Sequence, residues 1–152
     1  MQYRRMSRLA ALALALALPA CDSGDDGTGP DTGGDLTGSW ALLSVGGQGL
    51  PVSQSYTDPE FGVCTASLTE MVASFAAGGV YSETTVETDA CPAQALQVDT
   101  TSLSGTYTTT GNQLTVEYDD EPGELNFTYS VAGDRFTMRV GSLAYVFGRE
   151  TP

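Results

Sequence analysis

The side chains that could do chemistry in this sequence are three cysteines and 19 acidic residues, because the chain has no histidine. It has no lysine either, so all six basic residues are arginines. Ser–His, Cys–His and Ser–Lys nucleophiles therefore cannot be assembled, and no side chain with an ordinary pKa would act as a general base near neutral pH. We expect no catalytic residue, no cofactor and no enzymatic activity.

The densest group of carboxylates surrounds a Pro-Gly turn and comprises Asp119, Asp120, Glu121 and Glu124. Carboxylate oxygens are the ligands that Ca²⁺ prefers, but the spacing of an EF-hand loop is absent. Acidic residues at a turn normally serve to solvate it. We therefore expect no metal site.

Cys21 follows a segment with the three-part pattern of an export signal. Three arginines in the first eight residues precede an unbroken apolar run over residues 9–18, and the small residue Ala20 precedes the cysteine. An apolar run of this length is too short to cross a bilayer core of about 30 Å as a helix. We expect the segment to direct export rather than to span a membrane.

The four residues from Leu18 to Cys21 resemble the lipobox of bacterial lipoprotein signal peptides. This resemblance implies cleavage after residue 20, acylation of Cys21 (palmitate among the chains) and lipid anchoring in the bacterial cell envelope. The anchored protein would be located at the outer membrane, at the periplasmic face of the inner membrane or at the cell surface. Acyl chains contribute about 0.8 kcal/mol per buried methylene, enough in combination to hold the protein at a membrane. The alternative is ordinary secretory cleavage that leaves a cysteine nearby.

Charge and composition divide the rest of the chain. Residues 22–35 contain only Gly, Asp, Ser, Thr and Pro, which predicts a flexible acidic tether. The organisation we expect is a signal peptide at 1–20, a tether at 21–35 and one β-domain at 36–152. Beyond the signal peptide three arginines stand against all 19 carboxylates, which excludes nucleic acids as partners.

Cys64 and Cys91 are the cysteines of the expected domain. In an exported protein such a pair predicts a disulfide, which would close a loop of about 27 residues and stabilise by about 3 kcal/mol. A catalytic thiolate would need a nearby base, and a zinc site would need four ligands where two soft ones exist.

From residue 36 onward the pattern is that of short β-strands rich in Thr, Val, Tyr and Phe, separated by Gly, Asn and Asp. Residues 46–63 form the longest stretch without strand signals, which predicts a functional or covering loop. Apolar residues alternate along the later strands and indicate an antiparallel up-and-down β-barrel of about eight strands. The predicted strands are 38–45, 67–76, 79–88, 104–110, 113–118, 124–132, 134–140 and 143–149.

The first predicted strand opens with Gly38-Ser39-Trp40, which resembles the first signature of lipocalins and of small bacterial lipocalin-like proteins. Later hairpins such as 74–81, 105–116 and 129–138 resemble the same relatives. The resemblance implies a calycin-type barrel in which the tryptophan lies at the closed end beneath an arginine, here Arg149. Such a cation–π contact is structural and contributes about 0.5–2 kcal/mol.

Other barrel families fit less well. The first strand of avidins begins with a similar Gly-x-Trp pattern. Their ligand site, however, resembles a cage of several tryptophans, whereas this chain has one tryptophan. META-type lipoprotein domains share the hairpin texture, yet their glycine-cysteine-asparagine motif is missing. A bacterial protease-inhibitor barrel, with a Gly-x-Trp strand and a disulfide, remains an alternative.

The expected barrel interior has the character of a pocket for a small hydrophobic molecule, because it would combine an apolar wall with two phenol groups. The alternative is a barrel filled by its own side chains, as in a structural or interaction lipoprotein. The candidate ligand-binding residues are Phe127, Tyr129, Phe136, Met138, Tyr145 and Phe147.

Overall fold

The computed structural model describes residues 33–120 and 122–151 of the chain. Within these residues ten β-strands form one antiparallel sheet. The strands are β1 (Gly38–Val45), β2 (Gln48–Gly49), β3 (Val52–Asp58), β4 (Gly62–Ala76), β5 (Val80–Ala90), β6 (Gln97–Thr110), β7 (Gln113–Tyr118), β8 (Glu124–Ala132), β9 (Arg135–Val140) and β10 (Leu143–Arg149). None of the described residues forms a helix long and apolar enough to cross a membrane.

The sheet closes because β1 pairs with two partners. One edge of β1 pairs with β10, opposing Trp40 to Arg149, and its other edge pairs with the end of β4, opposing Gly38 to Phe75. Between these two partners each strand pairs with its neighbour in the chain from β4 to β10. The result is a closed antiparallel barrel of eight strands with β2 and β3 as additions, which confirms the predicted fold class.

The pattern of alternation predicted the short strands well and the long ones incompletely. The predicted bounds of β1, β7, β8 and β10 coincide with those observed, whereas β4, β5 and β6 extend further. The expectation of an irregular segment over residues 46–63 was wrong, because β2 and β3 lie within it. β3 is an edge strand whose side chains are mostly exposed, so its sequence carries no apolar alternation, and its strand geometry comes from pairing with β4.

β3 and the adjoining parts of β4, β5 and β6 form a four-stranded sheet that continues beyond the barrel, and we call it the extension. The first half of β4 pairs with β3 there, from Gly62 to Leu68, instead of with β1. Cys64 and Cys91 form a disulfide across this sheet, which confirms the predicted bond. The cross-link therefore ties β4 to the residue that follows β5, not to an irregular loop.

Aromatic side chains fill one half of the barrel. The rings of Trp40 and Phe75 each lie 5.6 Å from that of Phe136, and Phe147 stacks on Phe136 at 5.0 Å. Tilted and offset ring pairs at these distances are favourable beyond the area that they bury. Each of the four side chains is at most 2% exposed, so this cluster is the centre of the hydrophobic core.

Candidate functional site

Trp40 and Arg149 meet at the end of the barrel where β1 begins. The guanidinium carbon lies 4.1 Å from the centre of the indole ring, and Trp40 is fully buried. Arg149 also donates a hydrogen bond to the carbonyl of Thr37 at 2.9 Å and pairs with Asp134 at 3.7 Å. Gly38 has a φ of +124°, and a Cβ there would lie 3.0 Å from Nη1 of Arg149, so glycine suits this position.

The residues that precede β1 cover this same end. The indole N–H of Trp40 donates to the carbonyl of Leu36 at 2.7 Å, and Leu36 is only 3% exposed. Further back, the carbonyl of Gly34 lies 3.5 Å from the hydroxyl of Tyr129. We call this the closed end, since the chain leading into β1 runs across it.

The six candidate ligand-binding residues share the inner face of the barrel, but four of them are parts of the packed core. Phe136 and Phe147 are fully buried, and Tyr129 and Met138 are 5% and 8% exposed. Phe127 and Tyr145 are partly buried and pack against the core. The four buried side chains pack together and fill the closed half rather than line a space within it, as the ring contacts of Phe136 with Tyr129 and Phe147 show. Their role in binding stays a prediction.

Exposure rises along the inner face towards the opposite end. Leu125 opposes the buried Val116, and Val140 follows two residues after the buried Met138, so both lie on the inner face. Each is nevertheless 47% exposed. The inner face is therefore exposed to solvent at this end. We call this end the mouth and define it by six inner-facing residues that are partly or largely exposed: Met71, Tyr118, Leu125, Val140, Leu143 and Tyr145.

A carboxylate lies where the packed core meets the mouth. Glu83 is two residues after the buried Tyr81 and opposes Leu103, which places it on the inner face. Its Oε2 atom accepts hydrogen bonds from the hydroxyl groups of Tyr81, at 2.5 Å, and Tyr118, at 3.0 Å. Burial, followed by the charge of Glu83, raises the pKa of Tyr81 well above its ordinary value. Tyr81 therefore keeps its proton and remains a donor.

More carboxylates follow on the same face where the sheet passes into the extension. Glu87 opposes Leu68 on one side and Asp99 on the other, and Asp89 opposes Ala66. Asp89 accepts a hydrogen bond from Tyr56 at 2.5 Å, while its Oδ1 atom is buried without a partner in the described part of the chain. The inner face is thus apolar near the core and acidic towards the extension.

Sequence reasoning did not single out Glu83. The sequence could have indicated it, because Tyr81, Glu83 and Thr85 alternate along the strand and therefore lie on the same face. Tyr81 is apolar enough to belong to a core. The pattern alone did not show that this phase faces the interior, since the neighbouring residues of β5 are nearly all polar. Only the pairing of β5 with β4 and β6 assigns the face.

The other residues that the sequence analysis considered are Cys21 and the acidic turn. Cys21 lies outside the described residues, as does Glu121 of the acidic turn. The described part of that turn places Asp119 against Ser104, whose hydroxyl donates to it at 2.6 Å. Across the described residues, no group of three or more Asp, Glu or Cys side chains is arranged to hold a metal ion.

Comparison with known proteins does not assign a family. The sequence matches no protein-family model and no curated protein. Among solved structures, it is similar to an uncharacterized protein from Bacteroides eggerthii DSM 20697, whose crystal structure was determined at 2.60 Å. The two sequences are 12% identical, the match covers 76% of this chain and 100% of the other, and the TM-score is 0.46.

Proposed function

We propose that this protein is a lipid-anchored envelope lipoprotein whose lipocalin-like barrel binds a small, largely apolar molecule at its mouth. The proposed anchor is Cys21, which the lipobox resemblance supports. Of the six residues expected from the sequence to bind a ligand, the proposed site keeps Tyr145. The site lies at the mouth, next to the packed aromatic cluster rather than among its rings.

The observation that supports this function is the gradient of exposure along the inner face. Inner-facing side chains such as Trp40 and Phe147 are fully buried at the closed end, whereas Leu125 and Val140 are about half exposed at the mouth. A barrel that was filled throughout and covered at both ends would bury both halves alike. Apolar side chains that face solvent on the inner face of a barrel are suited to contact with an apolar ligand.

Binding of a neutral, environment-sensitive dye tests the proposal, using the full chain with Cys21→Ala so that no lipid is attached. We expect saturable dye binding that a neutral alcohol or a quinone displaces. Leu125→Asp should weaken dye binding by about tenfold, because a carboxylate at the mouth makes apolar contact costly. Val63→Asp is the matched control, since Val63 is 64% exposed on the extension and away from the mouth. Dye binding that neither competitor displaces, or that both variants weaken equally, would contradict a site at the mouth.

A protease inhibitor is the second candidate, and residues 91–96 are the observation that favours it. This connection between β5 and β6 begins at the disulfide-bonded Cys91 and ends at Leu96, which is 60% exposed. Ala93 within it has a φ of +62°, and the amide of Gln94 donates to the carbonyl of Cys91 at 3.3 Å. A short, cross-linked loop that presents an apolar side chain suits insertion into the cleft of a protease.

A panel of exported serine and cysteine proteases tests this second candidate. Inhibition that is lost with Leu96→Asp and kept with Val63→Asp would support it. If a molar excess of the protein inhibits no protease, the protease-inhibitor hypothesis is wrong and the ligand-binding proposal is unaffected.

A further inference from the structure

The carboxylate of Glu83 lies on the inner face of the barrel and has no cationic partner among the described residues. The ion pair in this part of the chain joins Arg149 to Asp134 at the closed end. The bonds that Glu83 accepts from Tyr81 and Tyr118 both go to Oε2, and Oε1 accepts none from the described part of the chain. A negative charge among apolar side chains costs free energy unless something pairs with it. A neutral, apolar ligand would offer this carboxylate no partner.

The two phenol groups hold this carboxylate in position. Tyr81 is 4% exposed, and its ring lies 5.9 Å from that of Tyr118. Both hydroxyls donate to the same oxygen, which leaves Oε1 as the acceptor available to a ligand. Glu83 itself is only partly buried, so a molecule in the mouth can reach it.

We propose that the mouth binds an amphipathic organic cation whose ammonium or amidinium head pairs with Oε1 of Glu83. The apolar body of the ligand lies against mouth residues such as Met71 and Tyr145. This inference rests on the proposed function, because it names the class of ligand for the same site. A positive head beside a recessed carboxylate forms a charge-assisted hydrogen bond, which is stronger than a neutral one.

The distribution of charge around the mouth favours a cation over an anion. Glu87 and Asp99 lie on the same inner face, further towards the extension. Arg135 and Arg139 alternate with the inner-facing residues of β9 and are exposed outside the barrel, and Arg149 is at the closed end. Fatty acids and other anionic amphiphiles would therefore meet a negative potential, and none of the described residues offers a positive group at the mouth to receive them.

An organic cation also suits the mouth better than a metal ion does. Calcium takes six to eight oxygen ligands. At this point the mouth offers one carboxylate held by two protonated phenols, beside apolar side chains. The described residues contain no group of three or more acidic or cysteine side chains arranged for a metal.

Calorimetric titration with three matched amphiphiles tests this inference, using decylammonium, decanol and decanoate below their micellar concentrations. The protein is the full chain carrying Cys21→Ala. We expect decylammonium to bind at least about tenfold more tightly than decanol, and decanoate to bind more weakly than both. Glu83→Gln should bring decylammonium to within about threefold of decanol, because glutamine can still accept from the phenols but carries no charge.

The control variant is Glu117→Gln, which makes the same change in net charge at an exposed position on the outer face of β7. It should keep the preference for decylammonium. If it lowers that preference as much as Glu83→Gln does, the attraction belongs to the acidic surface as a whole and the inference fails.

Other outcomes separate this inference from the proposed function. Equal affinity of the wild type for decanol and decylammonium would overturn the inference that the ligand is a cation, and it would leave the proposed apolar site at the mouth unaffected. Binding of none of the three would overturn both. Should Glu83→Gln not fold, the wild type alone provides the test, because an affinity for decylammonium no greater than that for decanol overturns the inference.

Discussion

At the scale of single residues, Trp40 and Arg149 join the first barrel strand to the last. We expect Trp40→Ala to lower the free energy of unfolding by about 3–5 kcal/mol, because it empties the centre of the core. Arg149→Ala should cost about 0.5–2 kcal/mol, since it removes a cation–π contact whose cation is partly exposed. Urea denaturation followed by circular dichroism measures both. Arg139→Ala is the control, because it removes an exposed arginine that contacts no ring in the described part of the chain.

The tryptophan also reports its own environment. Trp40 is the sole tryptophan and is fully buried, so its emission should be blue-shifted and poorly quenched by iodide in the folded protein. Emission typical of water-exposed indole would contradict the contact between Trp40 and Arg149.

Tyr81 is expected to make the protein sensitive to alkali. Its pKa is raised in the folded state, chiefly by burial and then by the charge of Glu83, so the folded state holds this proton more tightly than the unfolded chain does. The stability contributed is therefore present below the unfolded value of about pH 10 and is lost as the pH rises above it. In Tyr81→Phe the free energy of unfolding should fall less steeply as the pH rises.

Urea denaturation at several pH values between 8 and 11 measures the effect. Tyr145, whose pKa burial also raises, should leave a smaller residual slope in Tyr81→Phe. Equal slopes in the wild type and in Tyr81→Phe would show that Tyr81 does not titrate as its surroundings require.

At the scale of elements, the disulfide matters most for the extension. Cys64 and Cys91 are separated by 27 residues, and closing a loop of that length stabilises by about 3–4 kcal/mol in the chain-entropy model. The double variant Cys64→Ala with Cys91→Ala should lose about that much stability yet keep the buried emission of Trp40, because the aromatic core lies inside the barrel and not in the extension. Loss of that emission under native conditions would show that the barrel depends on the extension.

The close approach of β6 to β7 gives a second prediction at this scale. A Cβ at Gly105 would lie 2.0 Å from the backbone oxygen of Glu117, so the two strands would have to separate. We expect Gly105→Ala to cost about 1–3 kcal/mol or more in the free energy of unfolding. Gly49→Ala is the matched control, since the nearest atom to a Cβ at Gly49 is 3.9 Å away. Equal stability of both variants in urea would contradict the observed packing.

At the scale of the whole molecule, we expect attachment to the envelope to depend on Cys21 and not on the barrel. Metabolic labelling with a fatty-acid analogue should mark the wild type and leave Cys21→Ala unmarked, with the barrel folded in both. Equal labelling of the two proteins would contradict the lipid anchor. Release of both proteins in soluble form would support the alternative of ordinary secretory cleavage.

Much of the barrel could be predicted from the sequence because its later strands have one apolar and one polar face. Residues such as Leu114, Val116 and Phe136 recur with a period of two, and strand bounds follow from that alternation together with the turn residues between strands. The disulfide was predictable as well, since the expected domain contains two cysteines and the signal-like segment points to an oxidising compartment.

The tertiary structure alone decided which parts of this interior are filled and which face solvent. The alternation that places Phe136 and Val140 on one face is the same along the whole of β9, yet Phe136 is fully buried and Val140 is half exposed. Likewise, β3 carries no apolar pattern and becomes a strand by pairing with β4. Sequence periodicity records the face of a strand on which a side chain lies. The depth of that side chain depends on contacts between residues distant in the chain, and these form only when the barrel closes.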